Sequence, residues 1–529
     1  MWSSMWDTSS EKHGDLKAAL TIFAIIMTTV SFWFLQTWNK HSRNSKPAPL
    51  PPGPHGVPLL GYLPFLGTNH HHQFTDLSRV YGPIYRIQLG TKLVIVVSSP
   101  SLVKEVVRDQ DTIFFYRNVK VAQRILSYGG SDIVFGTHGP EWRKMRKMLA
   151  SQMLSKTNLD DCYALRKQEV VKSIRHVYNE KIGTPIDFGQ FVMSTTSNTF
   201  SCMLWGGTLQ GEKASDVGSE FRKVVMEMIW LLQKPNVSDF FPVLARFDIQ
   251  GIRSRAKKLQ SVTENMFDSI IETQMNKDKN EGVPKKHEGK GFLQFLLENN
   301  INQDSATSLT MKQVKALLTD IVVAGNDTTA GIIEWAMSEL IQHPDELRKV
   351  QEELTKIVGI NNLVEEFHLP KLHYLDAVIK ETFRLHPVLP LLAPRCSSQS
   401  TTIGGYYIPK GSIVFLNAWA IHRDSSVWDD PLEFRPWRFL NTDTSNSFGY
   451  QGNNFHYLPF GSGRRICPGI PLAKRILVYV LASFLHSFEW TLPNDATVDL
   501  SDKFGIVTKK KAPLIVVPTP RLSNLELYA

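Results

Sequence analysis

The sequence predicts a mainly α-helical body with small β-sheets at its periphery, carried behind a membrane-anchoring helix. Three observations predict it. Most of the stretch from about residue 100 to about residue 390 reads as helices broken by Pro and Gly. Strand-type alternation is confined to short runs. Residues 18–39 form an uncharged run of 22, and roughly 20 apolar residues cross a bilayer as helix.

Residues 1–17 are expected on the lumenal side. The span 18–39 is rich in Leu, Ile, Phe, Val and Trp, with Trp33 and Trp38 toward one end, where aromatic side chains mark a membrane interface. A cleaved secretory signal is the competing reading. Its apolar core runs about 7–15 residues and a small-residue cleavage site follows it. Here Lys40, His41, Arg43 and Lys46 follow instead, which favours an uncleaved anchor. The basic residues Lys40, Arg43 and Lys46 outnumber Lys12 and Lys17 before the span, so the positive-inside rule leans toward a cytosolic body. Residues 40–60 read as a basic, proline-rich hinge. Its run Pro47-Ala48-Pro49-Leu50-Pro51-Pro52-Gly53-Pro54 is stiff and extended, and is expected to space the body from the bilayer. Residues 61–529 read as one domain, because no linker divides them although the length alone suggests about three.

Within the body, Ile84–Leu89 and Leu93–Val97 alternate around Gly90-Thr91 and read as a hairpin. Segment 275–290 is polar and Lys-rich and reads as an exposed loop. Thr310-Met311-Lys312-Gln313 fits a capping box, and the helix it opens can run to His343, ahead of Pro344. At 1.5 Å per residue that is roughly 50 Å, enough to cross the domain. A second helix is expected from about Lys371 to His386, stopped by Pro387. Short strands are expected around Thr401–Ile408 and Ile413–Leu416, and an apolar helix from Leu472 to Phe484.

The balance of 42% hydrophobic and 21% charged residues is that of a globular protein able to bury a cofactor. Cys162, Cys202, Cys396 and Cys467 lie far apart without a CxxC pair, which argues against a disulfide framework and a zinc site and fits a reducing compartment. The net charge of +9 is scattered, and no nucleic-acid module accompanies it. The clusters Arg143–Lys147 and Lys509–Lys511 read either as solvated faces or as attraction to anionic lipid or an acidic partner.

Four motifs carry chemistry. In Phe460-Gly461-Ser462-Gly463-Arg464-Arg465-Ile466-Cys467-Pro468-Gly469, Gly463 permits a tight turn and Arg465 supplies a fixed cation. Cys467 falls near a helix N-terminus, where amide N–H groups favour a thiolate. Ala324-Gly325-Asn326-Asp327-Thr328-Thr329 places poor helix formers among apolar neighbours, which suggests a local opening that admits water or a small ligand; a satisfied helix–helix contact is the alternative. Glu381 and Arg384 share a helix face, and Arg438 follows in an aromatic loop. Trp142 and Arg146, four residues apart, offer two donors on one face, suited to an anionic cofactor edge.

Taken in order, Trp-x-x-x-Arg, Ala-Gly-x-Asp-Thr-Thr, Glu-x-x-Arg, Phe-x-Pro-x-Arg-Phe and the cysteine loop resemble the cytochromes P450, from about residue 18 to the C-terminus. The anchor and hinge resemble plant microsomal members. Segments 234–239, 245–251 and 518–520 resemble a subgroup that oxidises sesquiterpenes and, in some members, flavonoids. The resemblance implies the cytochrome P450 fold and haem b, with Cys467 as the axial thiolate of its iron, donating electron density that favours O–O cleavage. It implies that Asp327 and Thr328 deliver protons, that Trp142, Arg146, Arg395 and Arg465 hold the haem acids beside Phe460, and that Glu381, Arg384 and Arg438 form a buried ion cluster. Trp437 replaces the Glu of the commoner Phe-x-Pro-Glu-Arg-Phe, which puts a local salt bridge from that position in doubt. The implied pocket wall includes Phe114, Phe115, Ile133, Trp230, Val323, Ala324, Leu391 and Phe504.

The expected function is NADPH- and O2-dependent hydroxylation of a small lipophilic plant metabolite at the endoplasmic reticulum membrane, the body facing the cytosol. A sesquiterpene or other terpenoid is the first expectation, a flavonoid or other phenolic the alternative. A haem-thiolate isomerase or dehydratase, or a non-enzymatic haem protein, ranks below both, because Asp327 and Thr328 are both present. The chain carries no dinucleotide-binding Gly-x-Gly-x-x-Gly unit. Electrons are therefore expected from NADPH–cytochrome P450 reductase, with cytochrome b5 as a further candidate donor and Arg143–Lys147 as a docking face.

Overall fold

The computed structural model describes residues 48–206, 212–280, 291–301, 308–440, 448–494 and 496–529, with Thr21 and Thr28. The expected anchor (those two helical threonines aside), the start of the hinge and residues 281–290 lie outside the described residues.

The described part of the hinge is bound along a sheet. Pro49 O accepts from Tyr407 N at 2.8 Å and Pro52 O from Arg86 N at 2.8 Å. A Cβ on Gly53 would stand 2.0 Å from Arg86 O, so the close approach requires glycine. The spacer expected of this segment is thus in part an edge of the body. Proline suits such an edge, where no N–H is needed.

Helix α1 (His70–Tyr81) leads into β1 (Ile84–Leu89) and β2 (Lys92–Val97), antiparallel in the register Ile84↔Val97, with Gly90 at φ +55° in the turn. The helical body follows: α2 (Val121–Leu126), α3 (Pro140–Met148), α4 (Tyr163–Glu180), then the short β3 (Ile186–Asp187), α5 (Phe188–Trp205), α6 (Glu212–Gln233) and α7 (Ile252–Asn280). Residues 275–280, expected in a loop, are the last turns of α7. Polarity alone does not separate a loop from the polar end of a helix.

Helix α8 (Met311–Gln342) is the long central helix. Thr310 Oγ1 accepts from Gln313 N at 3.3 Å and Gln313 Oε1 from Thr310 N at 3.0 Å, the expected reciprocal cap. Most of α8 is buried against α5, α10 (His373–Leu385) and α11 (Ile470–Ser487), while α9 (Pro344–Val358) follows it directly. Among the described residues α11 is the one helix long and apolar enough to cross a bilayer, but 72% of it is buried in the core, so it is a core helix.

Strands β4 (Arg395–Cys396) and β7 (Ile413–Leu416) complete the first sheet in the order β1-β2-β7-β4, and β5 (Thr401–Ile403) pairs with β6 (Tyr406–Ile408). Strands β8 (Phe488–Thr491) and β11 (Ile515–Pro520) join β3, and β9 (Asp502–Lys503) pairs with β10 (Lys509–Lys510). The β9–β10 hairpin is stapled to α1: His71 Nε2 and His72 Nε2 lie 2.5 and 2.9 Å from the two oxygens of Asp502. The fold is therefore mainly α with small sheets at its edge.

Candidate active site

Cys467 sits on a loop made by glycine. Gly461 and Gly463 have φ of +73° and +71°, and a Cβ on Gly463 would stand 2.3 Å from Val107 O. The loop returns on itself through Cys467 N to Phe460 O at 3.0 Å, and α11 begins three residues after the cysteine. All four cysteines are free. Burial pushes the Cys467 thiol up, while the Gly469 N–H and the Arg146 guanidinium oppose that shift and favour the thiolate.

Arginines converge on this loop. Arg146 donates to Ile466 O at 2.7 Å. Arg395 donates to Asp111 Oδ1 and to Ser462 O, each at 2.8 Å. Arg465 donates to Phe115 O at 3.0 Å, Ile133 O at 2.9 Å and Gly136 O at 2.5 Å, with its Cζ 3.9 Å from the Phe115 ring centroid. Arg117 donates to Ala393 O and Pro394 O at 2.7 and 2.8 Å. The Trp142 indole donates to Ile133 O at 3.0 Å. Burial, and then repulsion from Arg395, lower the Arg465 guanidinium to about 9. Burial and the charges of Arg465 and Arg395 lower Arg117 as well. The carboxylates that act on this group are Asp111 and Asp132. Four enclosed guanidiniums beside two acids leave an excess of positive charge that suits a cofactor carrying acids of its own.

Helix α8 runs unbroken through Ala324–Thr329, so the expected local opening is not there. Gly325 serves packing instead: a Cβ there would stand 2.7 Å from Phe200 Cε1 of α5. Asn326 holds the same contact, accepting from Thr196 Oγ1 at 2.8 Å and donating to Ser197 Oγ at 2.6 Å. Thr328 turns its hydroxyl to Ala324 O at 2.7 Å. Ala324 is exposed and Val323, Gly325 and Thr328 are half-buried in an otherwise buried stretch, so this face of α8 borders open space. Asp327 is buried, with Lys509 Nζ of β10 at 2.6 Å from Oδ1.

Behind the loop, Glu381 and Arg384 are fully buried and form a bidentate pair at 2.7 and 2.8 Å. Arg384 also donates to His422 O, Pro431 O and Glu433 O, while Glu381 accepts from Arg435 N at 2.8 Å and Arg438 Nε at 3.3 Å. Each charge is thus met, as burial demands. Trp437 is 49% exposed and carries no charge into the cluster; its ring centroid lies 5.8 Å from the Arg438 guanidinium carbon.

The family model for cytochrome P450 matches residues 51–517. The chain is a cytochrome P450. It is similar to a flavonoid 3'-monooxygenase of Oryza sativa subsp. japonica, 36% identical over 94% of this chain and 97% of that one. A flavonoid 3'-monooxygenase of Petunia hybrida is 36% identical over 95% and 99%, and a flavonoid 3',5'-hydroxylase of Campanula medium is 33% identical over 96% and 97%. Among solved structures, a zebra fish cytochrome P450 with abiraterone superposes with a TM-score of 0.70 at 28% identity, covering 86% of this chain and all of that one.

In this cytochrome P450 the residues present fit a haem: a cysteine sulfur on a glycine-shaped loop, and arginines in excess of their acids. The structure does not bring all eight expected wall residues together. Trp230 is 44% exposed, between Lys234 Nζ and Arg255 Cζ at 4.5 and 4.6 Å from its ring, on the outer face of α6. Phe114 is buried with the first sheet, and Phe115 packs beneath Arg465 and edge-on to Trp142 at 4.7 Å. Leu391 and Phe504 share one cluster; Ile133 and Val323 join the main core, and Ala324 borders the open face. Sequence reasoning missed Arg117 and Asp111. Neither stands in a motif, and only the fold brings Asp111 to Arg395 and Arg117 to the carbonyls of 393 and 394.

Proposed function

We propose that this cytochrome P450 inserts one oxygen atom from O2 into the ring of a flavonoid or related small phenolic, with electrons from NADPH passed by a separate reductase. The observation that carries the reading is the similarity, along almost the whole chain, to flavonoid 3'- and 3',5'-hydroxylases. It ranks the phenolic substrate above the terpenoid one, which rests on the resemblance of segments 234–239, 245–251 and 518–520 alone.

When bound, the haem supplies the activation of O2. Cys467 Sγ would hold its iron. Arg146, Arg395 and Arg465 would hold its acids, joined by Trp142 once its single N–H leaves Ile133 O, with Phe460 beside the loop. Thr328 Oγ1, now bonded to Ala324 O, would hold a proton at the open face of α8, and Asp327 would renew it from the Lys509 side. Val323 and Ala324 would keep that face apolar. The pocket then selects by shape, which discriminates a methylene by only about 1–3 kcal/mol.

The body is proposed to sit on the endoplasmic reticulum membrane. In support, Leu59, Leu60 and Phe65 are exposed, as are Val243, Phe247 and Ile249. The Gly90-Thr91 turn bonds both Leu60 O and Phe240 O and so brings these two apolar segments side by side. Such a surface suits lipid.

The test is full-length protein with reductase and NADPH, offered flavonoids and sesquiterpenes and read by mass spectrometry. A ring-hydroxylated flavonoid supports the reading. Oxidised sesquiterpene alone moves it to the terpenoid class. Turnover without NADPH marks an isomerase, and no oxygen-dependent product marks a haem carrier.

A further inference from the structure

Two consecutive histidines on the first turn of α1 meet one carboxylate of the C-terminal hairpin. His71 Nε2 lies 2.5 Å from Asp502 Oδ2, and His72 Nε2 lies 2.9 Å from Asp502 Oδ1. One nitrogen of each ring and one carboxylate oxygen all lie within 4.8 Å of one another. The His71 side chain is fully buried and that of Asp502 is 9% exposed, while that of His72 is 44% exposed. The cluster is therefore closed toward the core and open to solvent at His72. Aromatic rings hold it in place. Trp419 stands edge-on to His71 and His72 at 4.5 and 4.8 Å, and Phe504, in the turn of the hairpin, lies 5.4 Å from His71. His70 turns to Phe504 at 4.7 Å and takes no part in the cluster.

We propose that His71, His72 and Asp502 form a two-histidine, one-carboxylate site for a divalent transition metal, zinc above all, which ties α1 to the C-terminal hairpin. Imidazole and carboxylate together are the donor set of zinc, nickel and copper, whereas calcium and magnesium take sets of oxygens. The Arg423 guanidinium carbon, 3.3 Å from the Trp419 ring centroid, brings a positive charge close by and disfavours a loosely held cation further. Zinc bonds of about 2.0–2.1 Å in a tetrahedron place the donor atoms about 3.3 Å apart. The two nitrogen–oxygen contacts must therefore open by somewhat under about 1 Å, and the half-exposed His72 ring has room to move. A water at that open side would complete the shell. His71 Nδ1 carries the ring proton once Nε2 binds metal, and among the described residues it has no acceptor. Lack of such support weakens a site by about 10–100-fold, so micromolar zinc is the range to test. The site shares no residue with the cysteine loop. Its hairpin carries Lys509 to Asp327 and Phe504 to the cluster of Leu391, so a metal here would steady both.

The test is zinc binding to the full-length haem protein made without a histidine tag. The protein is stripped with a chelator and dialysed against micromolar zinc chloride at about pH 7.5, where free imidazole is neutral. Elemental mass spectrometry then counts zinc against haem iron. Wild type is expected to hold about one zinc more per chain than His72→Gln or Asp502→Asn, each of which is expected to bind at least about tenfold more weakly. Zinc is also expected to raise the thermal midpoint of wild type and to slow hydrogen exchange in the peptide spanning 499–511, and to do neither in His72→Gln. Magnesium in place of zinc is expected to leave wild type unchanged. Equal zinc in wild type and both variants marks an adventitious ion only and overturns the site, as does wild type that holds none. Should Asp502→Asn not fold, His72→Gln decides it, because that side chain is half-exposed and its loss leaves the His71 contact with Asp502 in place.

Discussion

Lys509 Nζ stands 2.6 Å from Asp327 Oδ1, so the acid at the centre of the long helix is neutralised by the C-terminal hairpin rather than by its own helix. Asp327 is 1% exposed, while the lysine is 41% exposed. The lysine therefore joins a buried acid to solvent. Lys509→Met removes that connection and leaves a buried carboxylate without its cation. The expected outcome is a fall in product formed per NADPH of about a hundredfold, the lower end for a lost proton-transfer group, with the haem spectrum retained. Equal product yield would assign the bridge to stability alone.

Thr328 donates to Ala324 O at 2.7 Å, a bond it must release to serve a proton at the open face. Thr328→Ala is expected to keep NADPH consumption while product falls by about tenfold or more. Measured coupling equal to wild type would leave the hydroxyl as a helix contact only.

Cys467→Ala removes the sulfur of the glycine loop. Cys162, Cys202 and Cys396 lie elsewhere in the fold, and burial raises each of their thiols. The reduced carbon monoxide complex is expected to lose its thiolate-type spectrum completely. Its retention in the variant contradicts the assignment.

Glu381→Gln leaves Arg384 and Arg438 without their carboxylate in a buried site. Breaking such a pair costs about 3–5 kcal/mol. Thermal unfolding of the variant is expected at a markedly lower temperature, with loss of bound haem. A midpoint within error of wild type would show that the backbone carbonyls at 422, 431 and 433 suffice for Arg384.

Asp502 shows how pH acts on the hairpin that carries Lys509. Burial alone would raise its carboxyl, but hydrogen bonds and charge from His71 and His72 lower it to about 2. Its folded value lies below the ordinary one, so its contribution is present above the ordinary carboxylate range and is lost as the pH falls through about 2. The stability difference between wild type and Asp502→Asn is therefore expected to narrow on acidification from about pH 6 to about pH 3. Denaturant midpoints at each pH check the sign; a difference that widens toward acid refutes it.

Local signals in the chain carried far. Alternation around Gly90-Thr91 and the reciprocal cap at Thr310 and Gln313 are visible in the residues because the interactions span a few positions. Glu381 and Arg384 are legible because one helix turn joins them. What escaped depends on long-range packing. Gly325 reads as a weak point of a helix until Phe200 is placed against it. Trp230 reads as a pocket wall by analogy, yet two cations hold it at the surface. Residues 275–280 read as loop from polarity, yet polarity does not separate a loop from the end of a helix. Arg117 and Asp111 carry no local pattern at all, because the partners at Ala393, Pro394 and Arg395 lie hundreds of residues away in sequence.

The anchorage of segment 132–136 has a consequence for how such an enzyme can change. Its amides and carbonyls make the ties, and the side chains of Ile133, Val134 and Phe135 take no part in them. A lineage can therefore exchange these side chains for others of similar bulk while the segment stays in place. With the segment lining the pocket, as expected of Ile133, substrate range would diverge there by single steps that leave the scaffold intact.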